Sequence, residues 1–224
     1  MGSVAGVAPV AILLLAAARV ALAGSVGELE ARALAARPDP RHGQILYLKH
    51  CPACHGQHAW GDGPREIPAL AGQRPSYLLE QLARFATGER AGSTMHGPAM
   101  HDTLQPPDIN RPQALTDLAA FLAAAARNPH PERVATTVAG ATLYARACSQ
   151  CHGSEGAGSD REAVPAIGGQ QQGYLRGQLT EISAGHRAHP PFAEGAVALT
   201  AAELRACADY AAGLSFLTAA AGGP

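Results

Sequence analysis

Two copies of one short cysteine–histidine pattern constrain this chain more than any other feature of its sequence. Each copy has the form C-x-x-C-H, in which two residues separate the cysteines and a histidine directly follows the second one. The copies lie 97 residues apart, and a fifth cysteine, Cys207, belongs to neither. The residues of the two copies are Cys51, Cys54 and His55, then Cys148, Cys151 and His152.

Three ordinary roles of paired cysteines do not account for this pattern. A structural zinc site normally has its second cysteine pair about 15–20 residues after the first, and a thioredoxin-like pair needs a βαβ context. Two disulfides would suit an exported chain, but they give no reason for the histidines. C-x-x-C-H is the attachment signature of c-type haem, whose porphyrin the thiols bind as thioethers while the histidine binds the iron. The sequence therefore predicts two covalently bound c-type haems.

The composition agrees with two bound macrocycles and excludes one class of partner. Hydrophobic residues make up 47% of the 224 residues but aromatic residues only 4%, so haem would supply the large apolar bodies that aromatic side chains usually provide. The formal net charge is −1, and Lys49 is the single lysine. A chain with this balance lacks a basic, phosphate-neutralising surface, so we expect no nucleic-acid partner.

The N-terminus is typical of an export signal. Residues 10–18 form an apolar centre too short for a bilayer crossing, which takes about 20 residues, and Ala21-Leu22-Ala23 has the small-x-small pattern of a cleavage site. The first residues lack the usual lysine or arginine, so an uncleaved anchor is the alternative. We expect a signal peptide over residues 1–23, export to the periplasm, and membrane contact only if the segment is retained.

A shift of 97 residues aligns far more than the two motifs. The alignment runs without a gap from residue 43 to residue 90, and it indicates a duplicated module. Repeated residues outside the motifs include Gly43 with Gly140, Tyr47 with Tyr144, Gln73 with Gln170, Tyr77 with Tyr174, Gln81 with Gln178, and Arg90 with Arg187.

Capping signals predict that both modules are mainly helical. Asp39-Pro40 and Thr137 are typical of helix starts before the motifs, Ser76 and Pro112 of later starts, and Thr200-x-x-Glu203 of a capping box. The Gly- and Pro-rich stretches between motif and second helix should be loops. The expected divisions are a lead-in over 24–38, a first domain over 39–127, a linker over 128–136, a second domain over 137–214 and a tail over 215–224.

The order of motifs resembles that of the dihaem cytochrome c4 family. Over about residues 40 to 214 the chain shows G-x-x-L-Y, C-x-x-C-H-G, P-A-L-A-G-Q, Y-L-x-x-Q-L and G-x-R in sequence. The resemblance implies an all-α fold of two tandem class I cytochrome c domains, each with about three main helices around a covalently bound haem. It also implies periplasmic electron transfer in a respiratory chain, with partners such as a terminal oxidase, cytochrome bc1 or a periplasmic dehydrogenase.

The family usually binds the far side of each iron with a methionine from the loop before the last helix. Apart from the initiator, only Met95 and Met100 exist, and both lie in the first module. Counting back from the final helix, where the offset is 89, pairs Met100 with His189, whereas counting forward pairs Met95 with Phe192. We predict Met100 as the sixth ligand of the first haem, with Met95 as the alternative.

The second module has no methionine, which is its main departure from the family. We predict His189 as its sixth ligand, with His186 one turn earlier or an open five-coordinate iron behind Phe192 as alternatives. Arg90 and Arg187 are candidates for the haem propionates or for solvent, and Cys207 for a buried apolar position.

Two functions follow from these residues. The first is an electron carrier rather than an enzyme, since the sequence shows no paired carboxylates or Ser/His/Asp set beside the motifs. The alternative is a haem enzyme, or a cytochrome subunit of a periplasmic dehydrogenase, that uses the methionine-free second haem.

Overall fold

The structure is a computed structural model that describes residues 25–90, 108–129, 134–190 and 199–217. The expected signal peptide over 1–23, both candidate methionines Met95 and Met100, and Phe192 lie outside the described residues, as do residues 130–133 of the linker and 218–224 of the tail.

Helices are the regular elements of the described residues, together with two isolated β-bridges, so the all-α prediction is confirmed. No helix within these residues is both long and apolar enough to cross a membrane. The helices are α1 (Val26–Leu34), α2 (Pro40–His50), α3 (Pro52–His55), α4 (Pro75–Thr87), α5 (Pro112–Ala124), α6 (Val138–Ala147), α7 (Ser149–His152), α8 (Gln172–Ser183) and α9 (Ala201–Gly213).

Local capping chemistry sets where most of these helices begin. The Asp39 side chain accepts hydrogen bonds from the first turn of α2, and Pro40 stands at the first helical position. Thr137 caps α6 in the same way, and Thr200 and Glu203 form the expected capping box of α9. The expected start at Ser76 is one residue late, because α4 begins at Pro75.

The Ser76 hydroxyl has a different role from capping. It lies within 2.6 Å of the backbone carbonyl oxygen of Asp160, to which it donates, and the Ser76 N–H donates to the Asp160 carboxylate at 2.9 Å. Since Asp160 belongs to the second module, Ser76 joins the two modules rather than starting a helix.

In each module the helix before the C-x-x-C-H motif crosses the last helix closely, α2 with α5 and α6 with α9. Each crossing occurs at a glycine that is present in both copies of the repeat. A Cβ on Gly43 in α2 would lie 2.0 Å from the Asp117 carbonyl oxygen of α5. A Cβ on Gly140 in α6 would lie 2.7 Å from the Ala206 carbonyl oxygen of α9. Only glycine allows the backbones this close, so the crossing explains why both modules have glycine there.

The same crossings establish the register of the final helices. Tyr47 packs on Phe121 with ring centroids 5.5 Å apart, and Tyr144 packs on Tyr210 at 5.3 Å. Tyr47 and Tyr144 are 97 residues apart in the sequence, whereas their partners Phe121 and Tyr210 are 89 residues apart. The segment between the second and last helices is therefore eight residues shorter in the second module.

The first module has an additional helix. Helix α1 forms within the expected lead-in over 24–38, and it packs against α4 and α5. The Thr116 hydroxyl of α5 donates to the Ala33 carbonyl oxygen at 2.6 Å. Near residue 217, where the described residues end, Leu217 is buried and its N–H donates to the Gly168 carbonyl oxygen of the second module at 2.7 Å.

The two modules meet through residues that the repeat pairs. The Gln73 side chain accepts from the Ala166 N–H at 2.7 Å and donates to the Ala166 carbonyl oxygen at 2.8 Å. Gln170 makes the same two bonds to Ala69, at 2.8 and 2.9 Å. Because each module offers the same side chain to the same backbone position of the other, the interface has the approximate two-fold character of a symmetric dimer.

Candidate functional site

One cavity of about 780 Å³ brings together the two motifs that lie far apart in the sequence. Its lining is mainly apolar and comes from both modules, and its volume lies in the range of about 300–1,000 Å³ that is usual for cofactor sites. The motif residues that line it are Cys51, Cys54, His55, Cys148, Cys151 and His152.

The two motif histidines are held in the same way. His55 is 7% exposed and its ring Nδ1 lies 3.0 Å from the Pro68 carbonyl oxygen. His152 is 9% exposed and its Nδ1 lies 3.0 Å from the Pro165 carbonyl oxygen. Since a carbonyl oxygen only accepts, Nδ1 carries the hydrogen in both rings, and the neutral ring has its lone pair on Nε2. A backbone carbonyl on the second nitrogen is the usual arrangement behind a metal-binding histidine.

The surroundings favour the neutral form of both rings. Burial lowers the pKa of His55, with the hydrogen bond to Pro68 acting in the opposite direction. Burial also lowers the pKa of His152, where the Pro165 carbonyl opposes the shift and the nearby His189 adds to it. Neutral imidazole is the form that binds metal ions, so both rings are prepared as ligands.

A buried tyrosine anchors the turn after each motif. The Tyr47 hydroxyl donates to the Gly56 carbonyl oxygen at 2.5 Å, and the Tyr144 hydroxyl donates to the Gly153 carbonyl oxygen at 2.8 Å. Burial raises the pKa of both phenols, so they remain protonated donors. These bonds tie the short motif helices α3 and α7 to the longer helices that precede them.

The cysteines divide into an inner and an outer position in each motif. Burial raises the pKa of the inner Cys51 to about 12, and a hydrogen bond with Cys207 together with burial raises the pKa of the inner Cys148. The outer Cys54 and Cys151 are exposed, and none of the five cysteines forms a disulfide. Cys207 is buried on α9, as the sequence predicted.

Two arginines enter the same cavity from opposite modules. Arg90 donates to the Tyr174 hydroxyl at 3.2 Å and to the Gln178 side-chain oxygen at 3.0 Å. Arg187 donates to the Tyr77 hydroxyl at 2.7 Å and also to the side chain of Gln178. Among the described residues no carboxylate forms an ion pair with either guanidinium, so the partners of these two half-buried cations within that part of the chain are neutral.

The candidate distal ligands of the second module have different surroundings. His189 lines the cavity, with its ring centroid 6.3 Å from that of His152 and the two ring planes 22° apart. His186 also lines the cavity, but its Nδ1 pairs with the Glu181 carboxylate at 3.5 Å and its side chain is 66% exposed. The structure therefore brings His189 toward the motif histidine more directly than His186.

The residues present fit a covalently bound haem in each module. Each half of the cavity offers two thiols, one buried imidazole with its lone pair on Nε2, apolar walls, and an arginine with no carboxylate partner in the described chain. The carboxylates of haem propionates would supply charge-assisted partners for those arginines.

Some functional positions could not be identified from the motifs. Pro68 and Pro165 orient the motif histidines through backbone carbonyls, and Gln73 and Gln170 join the modules across the cavity. The signal for all four was their repetition at the 97-residue offset, which marks a residue as structurally important without saying what it contacts.

The family model for cytochrome c matches this chain twice, over residues 41–126 and 137–214. Cytochrome c4 of Thiocapsa roseopersicina is 33% identical over 79% of this chain and 93% of its own length. A thiosulfate dehydrogenase electron acceptor of Thiomonas intermedia is 30% identical over 72% of this chain and 77% of its own length. The crystal structure of reduced cytochrome c4 from Pseudomonas stutzeri superposes with a TM-score of 0.62 at 26% identity, covering 80% of this chain and all of that one.

Proposed function

Because this chain belongs to the dihaem cytochrome c4 family and is an electron-transfer protein with two c-type haems, we propose that it carries electrons between redox partners of a periplasmic respiratory chain. The observation that carries the proposal is the pair of buried histidines, each held through Nδ1 by a prolyl carbonyl, that face one cavity shared by both modules.

In this proposal, the motif residues bind the haems. Cys51 and Cys54 attach the first haem and His55 binds its iron, while the equivalent residues Cys148, Cys151 and His152 serve the second. In both modules the inner thiol is half-buried and the outer thiol exposed, which supports one attachment geometry for both. The corresponding domains span residues 39–127 and 137–214, joined by a linker over 128–136.

The arginines bind the haem propionates. Arg90 and Arg187 are half-buried cations in the cavity, and each bridges to a tyrosine of the other module. A charge-assisted bond to a carboxylate is roughly twice as strong as a neutral hydrogen bond, so propionates would be the preferred partners there. The arginines would then join each haem edge to the interface between modules.

Haem supplies reversible one-electron redox chemistry, and the chain sets the conditions for it. The apolar walls would exclude water from each haem, the prolyl carbonyls fix the imidazole orientation, and the final helices α5 and α9 supply part of the apolar lining. For the first haem, Met100 is the proposed sixth ligand and Met95 the alternative. A methionine ligand raises the reduction potential of haem iron.

The proposed location is the periplasm, reached through cleavage after Ala23. The support is the short apolar N-terminal segment, which ends in the small-x-small pattern of a cleavage site. Covalent attachment of haem to the C-x-x-C-H motifs would go together with this export. A retained segment would instead anchor the carrier to the membrane surface.

The similarity to one relative favours a dehydrogenase as the electron donor. The Thiomonas intermedia relative is described as an electron acceptor of thiosulfate dehydrogenase, and it shares 30% identity with this chain. By this likeness the chain would accept electrons from a periplasmic dehydrogenase, with cytochrome bc1 as an alternative donor, and deliver them to a terminal oxidase. This also gives specific support to the alternative of a cytochrome subunit working with such an enzyme.

The test is to express the chain in a host competent for cytochrome maturation and to measure its intact mass and its redox behaviour. We expect the mass of the polypeptide without residues 1–23 plus two haems, and reversible one-electron reduction of each haem. A mass without two haems would contradict the haem assignment, and haems that a dehydrogenase cannot reduce would contradict the donor.

A further inference from the structure

We propose that His189 is the sixth ligand of the second haem, so that this iron is bound by two histidines while the first module keeps its methionines. The inference rests on the proposed function, because it requires a haem at the second motif. It concerns a position where the two modules must differ, since the second module has no methionine.

The spacing of the two rings is that of two imidazoles sharing one metal. An imidazole nitrogen binds a metal such as zinc at about 2.0–2.1 Å. A five-membered ring with bonds of about 1.33 Å has each atom about 1.1 Å from its centroid. Two imidazoles on opposite sides of one metal ion therefore have centroids about 6 Å apart. The centroids of His152 and His189 are 6.3 Å apart.

The hydrogen bonds of both rings agree with this arrangement. The Nδ1 of His152 lies against the Pro165 carbonyl oxygen, and the Nδ1 of His189 lies against the Pro190 carbonyl oxygen. In each case the carbonyl requires Nδ1 to carry the hydrogen, so the neutral ring has its lone pair on Nε2. The two ring planes are 22° from parallel, an angle that binding of one metal by both Nε2 atoms permits.

The register of the chain places His189 where a ligand loop is expected. The final helices correspond at an offset of 89, as the paired contacts of Gly43 and Gly140 with Asp117 and Ala206 show. At that offset His189 corresponds to Met100. The shorter segment of the second module thus brings a histidine to the position that holds a methionine in the first.

His186 does not satisfy the same conditions. Its Nδ1 lies 3.5 Å from the Glu181 carboxylate, whereas the Nδ1 of His189 lies against a backbone carbonyl oxygen. It lies three residues before His189 on the same segment, so it is a matched control for the loss of a nearby imidazole.

The experiment is electron paramagnetic resonance and optical spectroscopy of the oxidised holoprotein, with three variants. In the unmodified protein we expect the second haem to be low-spin with two nitrogen ligands, and to bind no carbon monoxide on rapid mixing when reduced. His189→Gly should convert one of the two haems to high spin and give one rapid carbon monoxide site, and added imidazole should restore the low-spin signal. His189→Met should replace the bis-nitrogen signal by that of a second methionine-bound haem.

The control His186→Gly should leave both haems low-spin. A second haem that is already high-spin in the unmodified protein, or that stays low-spin in His189→Gly without imidazole, would overturn the assignment. The measurement on the unmodified protein needs no variant to fold. Absence of haem from the second motif, seen as a missing haem mass, would instead overturn the proposed function, so the two failures are distinguishable.

Discussion

At the scale of single residues, one pair of repeated glutamines acts between the two modules rather than within either of them. Gln73 and Gln170 each satisfy both the N–H and the carbonyl of one alanine in the opposite module. Both glutamines and both alanines are buried, so no solvent replaces these bonds. A buried polar group that loses its partner costs more free energy than the net value of the bond it made.

Replacement of Gln73 by alanine should therefore weaken the joined structure. Gln73→Ala leaves the Ala166 N–H and carbonyl without partners, and we expect the free energy of unfolding to fall by about 2–4 kcal/mol. Denaturant unfolding of the holoprotein measures this. The exposed Gln57→Ala should stay within about 0.5 kcal/mol of the unmodified protein. Equal effects of the two substitutions would contradict the role of the interface.

Glu30 on α1 makes stability depend on pH. Its Oε1 atom is buried without a hydrogen-bond partner among the described residues, and burial, followed by the charge of Glu80, raises the pKa of its carboxyl group. A raised pKa in the folded state favours the protonated form. The contribution of Glu30 to the free energy of unfolding is thus fully present below the pKa that this carboxyl group has in the unfolded chain. It is lost as the pH rises through the higher pKa that the group has in the folded protein.

The substitution Glu30→Gln removes the ionisable carboxyl group, and with it the loss of stability at higher pH. We expect the variant to have a higher melting temperature than the unmodified protein at pH 7, and the advantage to shrink as the pH falls toward 4.5. Melting curves across this range test the sign. Glu28→Gln, on the exposed face of the same helix, should show no such trend, and a melting temperature of Glu30→Gln that is lower at pH 7 would refute the explanation.

At the scale of elements, the crossing of first and last helices decides the shape of each module. Helix starts are local events, because Asp39, Thr137 and Thr200 cap with their own side chains. The crossing is not local, since it depends on a backbone carbonyl more than 60 residues away from each glycine. The sequence marks these glycines only by their repetition.

Three alanine substitutions separate crossing from helix propensity. Gly43→Ala places a Cβ 2.0 Å from the Asp117 carbonyl oxygen, so we expect a loss of about 1–3 kcal/mol or more, and Gly140→Ala, at 2.7 Å from Ala206, a smaller loss. Gly27→Ala in α1 meets no atom within 4 Å and should gain about 0.5–1 kcal/mol. Calorimetric unfolding of the holoproteins measures all three, and a neutral Gly43→Ala would contradict the close crossing.

At the scale of the whole molecule, the duplicated chain has become asymmetric. The first module carries α1 and the methionines, and the second has a shorter segment with His189. A methionine ligand gives haem iron a higher potential than a second imidazole, which is the stronger donor. The two haems of one molecule would therefore differ in reduction potential.

A spectrally resolved redox titration should find the second haem at the lower potential, so that electrons entering there move to the first. His189→Met should bring the two potentials together by raising that of the second haem, whereas His186→Gly should leave their separation unchanged. A second haem that titrates at the higher potential would reverse the direction of transfer and contradict the ligand assignment.

Much of the molecule follows from its sequence alone because the decisive signals are local. A C-x-x-C-H motif holds both attachment thiols and the iron-binding histidine within five residues, so the two haems could be predicted without knowledge of the fold. Capping residues and proline positions predicted most helix starts to within one residue. The ungapped repeat predicted two modules of one kind.

Only the tertiary structure decided how the modules meet. It paired Gln73 with Ala166 and Arg187 with Tyr77, contacts that no periodicity or spacing encodes. The physical reason is range. Covalent attachment and helix capping act between neighbours in the chain, whereas hydrogen bonds across an interface and two rings facing one cavity depend on distances that exist only once the chain has packed.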